Sequence, residues 1–496
     1  MRKISTDNKV KFLLDNEFIK EVHEQLIKVE VSTPDEETFV SIGMWSADLE
    51  TKLPPVGNQP ERTLKAALYS LNQKKHHVRI ILWAGSTISG ITGNKERQKA
   101  LKFQNWAKDK AYVSVYLEPY KSALSTENGL NIGSLVGLGL NWMGMSDFFS
   151  TVSAAAVTAL ARGNSALGLG ASTHQKIIIC SKKGKLCSII GGFNLGNEYS
   201  CEPNHSRDGQ YWHDTAVSLT GQAAAGVYYE WVRRWKKQGV NFVVDDKTTL
   251  SQGVPGKSNI ILASTNSEKV NRENDIRNLM VEQIRNARES IYIENYAFTD
   301  PALVEALTHR LEQGNIQVIV MINHPKSELF EANTTWSYFQ AGIHQKLKEA
   351  NGGQGVMYAA RTAYTRTSSR GVTYKCWPYP HSKLAIFDNT TLVVGSANWT
   401  YRSMEYDGEI SAFITDEELV PQISQKLLSH WWQTKDGNGP DDIDVAEWIR
   451  VAKPSDTNKR DPLGCRIEQL VDEDFEDWKK LSKTKQATLS VIWTMF

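Results

Sequence analysis

One pattern is written twice in this chain, 207 residues apart: a His-any-Lys triplet, an apolar strand, a turn, a second apolar strand, a pair of small residues and an asparagine. The copies run HQKIIICSKKGKLCSIIGGFNLGN from His174 and HSKLAIFDNTTLVVGSANW from His381. In a strand, residues i and i+2 point to the same face, so each pattern sets an imidazole beside an ammonium group. The run Leu384, Ala385, Ile386, Phe387 is apolar without alternation, as in a strand buried on both faces. Asp388-Asn389 is turn chemistry, and the chain returns over Thr391 to Val394. Such a chain must build two similar strand pairs, each opened by a histidine.

The tripeptide alone says less, because His324/Lys326 and His344/Lys346 carry it too. His344 lies in FQAGIHQKLKEANGG, a helical pattern with a glycine stop, and on a helix i and i+2 do not face each other. His324 is trailed by PKSELFEAN, with no second strand and no glycine pair. Both are expected to be solvated surface residues.

What the two full copies assemble suits an anionic phosphate. Gly395 and Ser396 let backbone approach a ligand closely, and Asn398 offers an amide donor beside the imidazole of His381 and the ammonium of Lys383. The string from His381 to Asn398 resembles the HxK-x4-D-x6-GSxN signature of the phospholipase D superfamily, with His381, Lys383, Asp388, Gly395, Ser396 and Asn398 in place. The first copy resembles it with departures. His174, Lys176, Gly192 and Asn194 match; Ser181 stands where the family usually has aspartate, and the hairpin is about three residues longer.

The resemblance covers about residues 40 to 432, and it implies a mechanism. One histidine attacks phosphorus to form a phosphohistidine. The other protonates the leaving alkoxide and then activates water or an alcohol, roles that suit an imidazole pKa near the operating pH. The family pattern implies His174 as nucleophile and His381 as acid/base; the residues themselves leave that order open. Lys176, Lys383, Asn194 and Asn398 would hold the phosphoryl oxygens. Asp214 and Glu409 resemble the acids that follow each motif and that cross over in the family, giving Glu409 to His174 and Asp214 to His381. Asp407 is a rival for Glu409. No metal and no cofactor are expected.

Composition fits a large globular enzyme: 496 residues, 41% hydrophobic and 23% charged, with a net charge of +1. That balance argues against a chain held to nucleic acid by overall charge. Five cysteines without metal spacing are expected to be free thiols. Strands alternate with helical patterns in both halves, so the expected fold is α/β: two similar phospholipase D-like domains with pseudo-twofold symmetry around one shared site. Expected boundaries are 1–250 and 251–435, joined by the polar stretch 245–259, then an extension over 436–496. The charged N-terminus lacks a signal-peptide core, which implies cytoplasmic synthesis, with leaderless export as an effector the alternative.

Fold does not settle substrate. Residues 128–161 carry one charge, Asp147, and hold Trp142, Met143, Met145, Phe148 and Phe149. They suit either a membrane-interface segment or a buried helix-loop. The stretch 358–379 interleaves Arg361, Arg366, Arg370 and Lys375 with aromatics, which suits a phospholipid headgroup region, single-stranded nucleic acid or a solvated loop. Trp377 and Tyr379 are the candidate headgroup wall, with Gly192 and Gly395 beside the substrate. The favoured function is phospholipase D-type hydrolysis or transphosphatidylation of membrane glycerophospholipids, giving phosphatidic acid and free headgroup. The alternatives are a nuclease of the same superfamily and a non-catalytic membrane-binding protein. The expected partner is a phospholipid surface rather than nucleic acid, with an immunity or inhibitor protein as a further partner, and the chain is expected to be a monomer.

Overall fold

The apolar runs that open each motif form the middle strands of one long sheet. The structure, a computed structural model, describes residues 4–475 apart from 85–93, 119–172, 200–211, 239–255, 267–272, 297, 326–333, 362–363, 368–370, 372, 377, 406, 433–439, 441 and 453–466. The segment 128–161, Trp377 and most of the stretch 245–259 therefore lie outside the described residues.

Fifteen strands make a continuous path. In the first half they are β1 (Ile4–Leu14), β2 (Phe39–Met44), β3 (His77–Trp83), β4 (Val113–Glu118), β5 (Ile177–Lys182), β6 (Lys185–Gly191) and β7 (Thr215–Thr220). In the second they are β8 (Ser258–Asn266), β9 (Ser290–Asn295), β10 (Gln317–Met321), β11 (Val356–Arg361), β12 (Lys383–Phe387), β13 (Thr391–Gly395) and β14 (Glu409–Thr415), followed by β15 (Ile467–Gln469). The spatial order is β15-β11-β10-β9-β12-β13-β14-β8-β1-β7-β6-β5-β2-β3-β4. From the seam between β8 and β1, each half reads outward in the same way. Four antiparallel pairings come first, then two parallel ones. The strand order thus repeats in the two halves of the chain. The N-terminal segment, read from sequence only for its charge, supplies β1 and so half of the seam.

Alternation along the central strands explains their unbroken apolar character. Leu384 and Ile386 enter one core, while Ala385 and Phe387 enter another. Ile177 and Ile179 join the first of these; Ile178 joins a third core, under the helices of the first half. The first core draws on both halves, including Trp231, Trp431 and Trp448, all fully buried. The β1–β8 ladder is irregular between Ser5 and Asn8. Each of its backbone bonds nets only about 1 kcal/mol, whereas each large apolar side chain buried across the seam contributes roughly 1.5–3 kcal/mol. The halves are therefore held mainly by apolar burial.

The helices form where the periodicity predicts them. Leu64–Gln73 starts at Thr63, whose hydroxyl accepts from the Ala66 N–H at 3.2 Å. Pro301–Glu312 starts at Asp300, which caps Ala302 and Leu303 at 3.1 and 3.0 Å. Two helices that pack on the shared core matter for the site: α1 (Gln222–Lys236) and α2 (Leu419–Trp432). The described residues after 440 pack on the second half. Trp448 sits with its ring 6.2 Å from Tyr292 and 5.0 Å from Trp432, and β15 covers the outer edge of β11.

Two expectations change here. His324 and His344 are not solvated: they are 5% and 6% exposed, beneath the chain that follows β11. His324 Nε2 lies 3.4 Å from Glu468, and His344 Nδ1 lies 3.7 Å from Asp472 with its ring against Phe475. Local sequence could not show this, because the covering residues lie more than 100 positions downstream. Cys180 and Cys187 are free and buried.

Candidate active site

Both hairpins turn on left-handed residues, Lys183-Gly184 in one and Asp388-Asn389 in the other, as two-residue turns that match strand twist require. Asp388 also accepts the backbone N–H groups of Arg288, Glu289 and Ser290 at 2.8–3.0 Å, which pins the hairpin to the entry of β9. In the first half the shorter Ser181 donates to the Glu37 carbonyl at the entry of β2, and the Thr38 hydroxyl accepts from the Lys183 N–H at 3.1 Å. The missing aspartate is thus replaced by two weaker contacts to the equivalent strand, far from the reacting groups.

The chain entering β5 and β12 then delivers the functional side chains. Each lysine folds back to donate to the carbonyl of its own motif histidine: Lys176 Nζ lies 2.7 Å from the His174 oxygen, and Lys383 bonds the His381 oxygen. Lys176 also sits 5.9 Å above the Trp45 ring and Lys383 5.5 Å above Tyr296. Asn194 accepts from the Ser46 N–H at 3.2 Å and donates to the Tyr199 hydroxyl at 2.9 Å, so its amide orientation is fixed. Asn398 follows β13 at the corresponding place.

The two acids cross the seam. His174 Nδ1 is 2.9 Å from Glu409 Oε1, and His381 Nδ1 is 2.7 Å from Asp214 Oδ2. Glu409 is fully buried and accepts the Ser396 and Ser403 hydroxyls. Asp214, equally buried, accepts the Thr215 N–H at 2.8 Å. Backbone closes the same seam: the His174 N–H donates to Gly408 O at 2.8 Å and the His381 N–H to His213 O at 2.7 Å. Asp407, the rival acid, pairs with Arg402 Nε at 2.8 Å, and Glu409 is the residue that meets His174.

Register refines the match between motifs. Gly191 faces Ala216, and Gly395 faces Ser411, so Gly191 is the counterpart of Gly395 and Gly192 that of Ser396. Gly192 and Gly395 are pressed against the neighbouring strand. A Cβ on Gly192 would overlap the Asp214 carboxylate, and one on Gly395 would overlap Ser411 and the Ile410 carbonyl. The longer acid faces a serine that donates to it; the shorter acid occupies the space that a side chain on Gly192 would need.

Aromatic rings wall the site. His381 has Trp212 at 5.0 Å, Tyr199 at 5.6 Å, Tyr296 at 5.8 Å and Tyr379 at 6.4 Å. Trp45 lies 5.8 Å from His174 and stacks on Trp83. Apart from Tyr379, none of these was singled out in sequence, because aromatics before and between motifs look like ordinary core.

Burial dominates the electrostatics. It holds both imidazoles well below the usual histidine value, and the two lysines add to the effect. It pushes Asp214 and Glu409 up to about 7, against the attraction of the lysines. It brings Lys176 down to about 7 and Lys383 to about 8. A neutral imidazole whose Nδ1–H donates to a carboxylate leaves Nε2 as a free nucleophile or base. The charges of one motif act on the histidine of the other, so both half-sites share one electrostatic field.

A profile for the family described as "Cardiolipin synthase, PLD-like domain" matches residues 280–431, the stretch that holds the second motif and Glu409. A cardiolipin synthase of Listeria innocua serovar 6a is 26% identical over 256 residues, 51% of this chain and 47% of that protein. The chain belongs to the phospholipase D superfamily. A superfamily relative named cardiolipin synthase from Staphylococcus aureus is 23% identical over 262 residues, 51% of this chain and 46% of its own. The chain spans about half the length of the curated relatives it matches. Among solved structures, the phosphatidylserine synthase of Haemophilus influenzae Rd KW20 shares the fold, with a TM-score of 0.50, 10% identity, and coverage of 84% of this chain and 85% of that one. The α/β architecture is that of the phospholipase D superfamily.

Proposed function

We propose that the protein transfers the phosphatidyl group of a membrane glycerophospholipid to water or to an alcohol, as a phospholipase D-type phosphodiesterase. The observation that carries the proposal is the crossed pair of imidazole–carboxylate dyads, each with a buried lysine, facing one space from two halves of the chain. His174 Nε2 attacks phosphorus while its Nδ1–H stays on Glu409. The phosphorus–oxygen bond to the headgroup breaks, and that alkoxide takes a proton from His381. The anionic diester offsets the two ammonium groups that depress His381, so the imidazole regains its proton affinity when substrate binds. His381 then removes a proton from water or an alcohol, which attacks the phosphohistidine and frees His174. Lys176, Lys383, Asn194 and Asn398 hold the phosphoryl oxygens as charge builds on them.

Lipid is favoured by the relatives named cardiolipin synthase and by the apolar segment just before the first motif. We place the action at a membrane surface, by a monomer that carries both half-sites. Among the described residues no helix is long and apolar enough to cross a membrane.

The test offers vesicles of mixed phospholipids with a primary alcohol and, in parallel, single- and double-stranded DNA. Phosphatidic acid and phosphatidyl-alcohol should form and vanish with His174→Ala or His381→Ala. DNA cleavage without lipid turnover overturns the lipid reading, and substantial activity in either folded variant overturns the two-histidine scheme.

A further inference from the structure

The residue between histidine and lysine in each motif lies just ahead of its strand, and a buried ion cluster stands beside each. Beside the first, Gln175 accepts from Arg234 of α1 at 3.3 Å, and Arg234 bonds Glu118 at 2.8 Å. Its cation is a guanidinium. Beside the second motif the cation position is taken by His213, which no part of the mechanism uses.

His213 is fully buried, one residue before Asp214. Its Nδ1 lies 3.1 Å from Asp15 Oδ1, and its Nε2 forms a close ion pair with Glu294 Oε1. The surroundings come from three elements. Asp15 follows β1 with a left-handed backbone, and its other oxygen is 3.4 Å from His430 Nε2 on α2. Glu294 on β9 also accepts the Tyr292 hydroxyl at 2.8 Å and the Trp431 indole at 3.0 Å. With carboxylate oxygens near both ring nitrogens, a neutral imidazole would turn a lone pair toward one of them; only the doubly protonated ring presents an N–H and a positive charge to both. The same residues grip the catalytic dyad. Asp15 bonds the Asp214 backbone from both sides, accepting its N–H at 3.2 Å and donating to its carbonyl at 3.1 Å. The His213 carbonyl accepts the His381 N–H at 2.7 Å.

We propose that His213 is a positioning residue, an imidazolium clamped between Asp15 and Glu294 that fixes Asp214 against His381 and keeps that carboxylate ionised. Burial opposes its charge, but the attraction of Glu294 and Asp15 prevails and raises His213 to about 10. Glu294 is correspondingly lowered. His213 is also among the positive groups that draw Asp214 down. The competing arrangement is a metal ion on Asp15, His213 and His430, whose ligand atoms lie within 4.8 Å of one another.

The kinetic half of the test rests on the phosphodiesterase reading; the spectroscopic half does not. In the full chain labelled with ¹⁵N-histidine, the ring signals missing from His213→Gln should report both nitrogens protonated at pH 8. A neutral tautomer there, or one metal ion per purified chain, overturns the proposal. His213→Gln leaves two carboxylates without their cation and is expected to lose thermal stability. His213→Gln/Glu294→Gln removes the cation with one of its two carboxylates, leaves Asp15 facing His430, and should fold. In that double variant the acid limb of kcat/KM should move up by roughly 0.5–1 pH unit, because Asp214 has lost a neighbouring positive charge. A uniform loss of rate with no shift of the limb marks a purely structural histidine and overturns the positioning role. If the parent protein turns over no phospholipid, the substrate reading fails while the ring signals still decide His213.

Discussion

Gly192→Ala is the smallest change that should disable the site, one methyl on a residue that takes no part in the chemistry. The Cβ would overlap the Asp214 carboxylate, which must retreat by about 1 Å to restore van der Waals contact. That carboxylate is held by the Thr215 N–H at 2.8 Å on one oxygen and by His381 Nδ1 at 2.7 Å on the other. Retreat breaks at least one bond, and a hydrogen bond to a charged group is worth about 1.5–3 kcal/mol. His381 then loses its orientation, and a misplacement of ~1 Å in a catalytic group costs on the order of 10²-fold in rate. The His174–Glu409 dyad draws its contacts from the other side of the seam. The assay is the initial rate of phosphatidyl transfer from mixed vesicles, with a thermal melt to confirm folding. Gly342→Ala is the control, because nothing lies within 4 Å of a Cβ on that exposed helical glycine. It should leave the rate unchanged and stabilise by about 0.5–1 kcal/mol. A Gly192→Ala variant within about threefold of the parent rate and melting alike would show that the Asp214 position does not control His381.

The kcat/KM profile should be a bell confined near neutrality. Asp214 and Glu409 must be ionised and lose that charge below about 7, while Lys176 and Lys383 must be protonated and lose charge above about 7 and 8; a flat profile from pH 5 to 9 would contradict this. Ser396→Ala removes the hydroxyl that donates to Glu409 and should slow turnover by about tenfold to a hundredfold, as loss of a bond to a charged group implies, measured against an unchanged melt. Asp388→Ala frees three backbone N–H groups from their acceptor. It should lower stability by roughly 2–3 kcal/mol with the rate intact at temperatures where the chain stays folded. His213 has its folded-state value raised, so its stabilisation is full below about 6.5 and is lost as pH rises through about 10. The parent melting temperature should therefore fall between pH 8 and 10.5 more steeply than that of His213→Gln.

The sequence was most informative where chemistry and strand period coincide. The spacing His174/Lys176 and His381/Lys383 determines a face, and the hairpins, their turns and the α/β alternation are local matters that a few neighbouring residues decide. The pairing of Asp214 with His381 and of Glu409 with His174 could be drawn only from resemblance, because nothing in 14 successive letters after Gly395 says which side of a seam Glu409 will meet. Asp15 and Glu294 were invisible for the same reason: one is a left-handed residue after the first strand, the other an acid inside an apolar strand, and they meet only at His213. His324 and His344 looked like surface because the chain that covers them begins far downstream. The N-terminal strand was missed because its exposed alternate residues are charged or polar, which hides the buried set of Asn8, Val10 and Phe12.

That N-terminal strand makes assembly and activity a single event. As the chain leaves the ribosome, residues 4–14 emerge ahead of the other strands but complete their pairing only when β8 follows about 250 residues later. His174 then still waits for Glu409, which arrives later again. A truncated product therefore carries a histidine with no acid and a seam with no partner, and long-range closure of this kind comes late in folding. A chain cut short at any point before Glu409 should be chemically silent, so whatever chemistry the two half-sites perform begins only once synthesis has passed that residue.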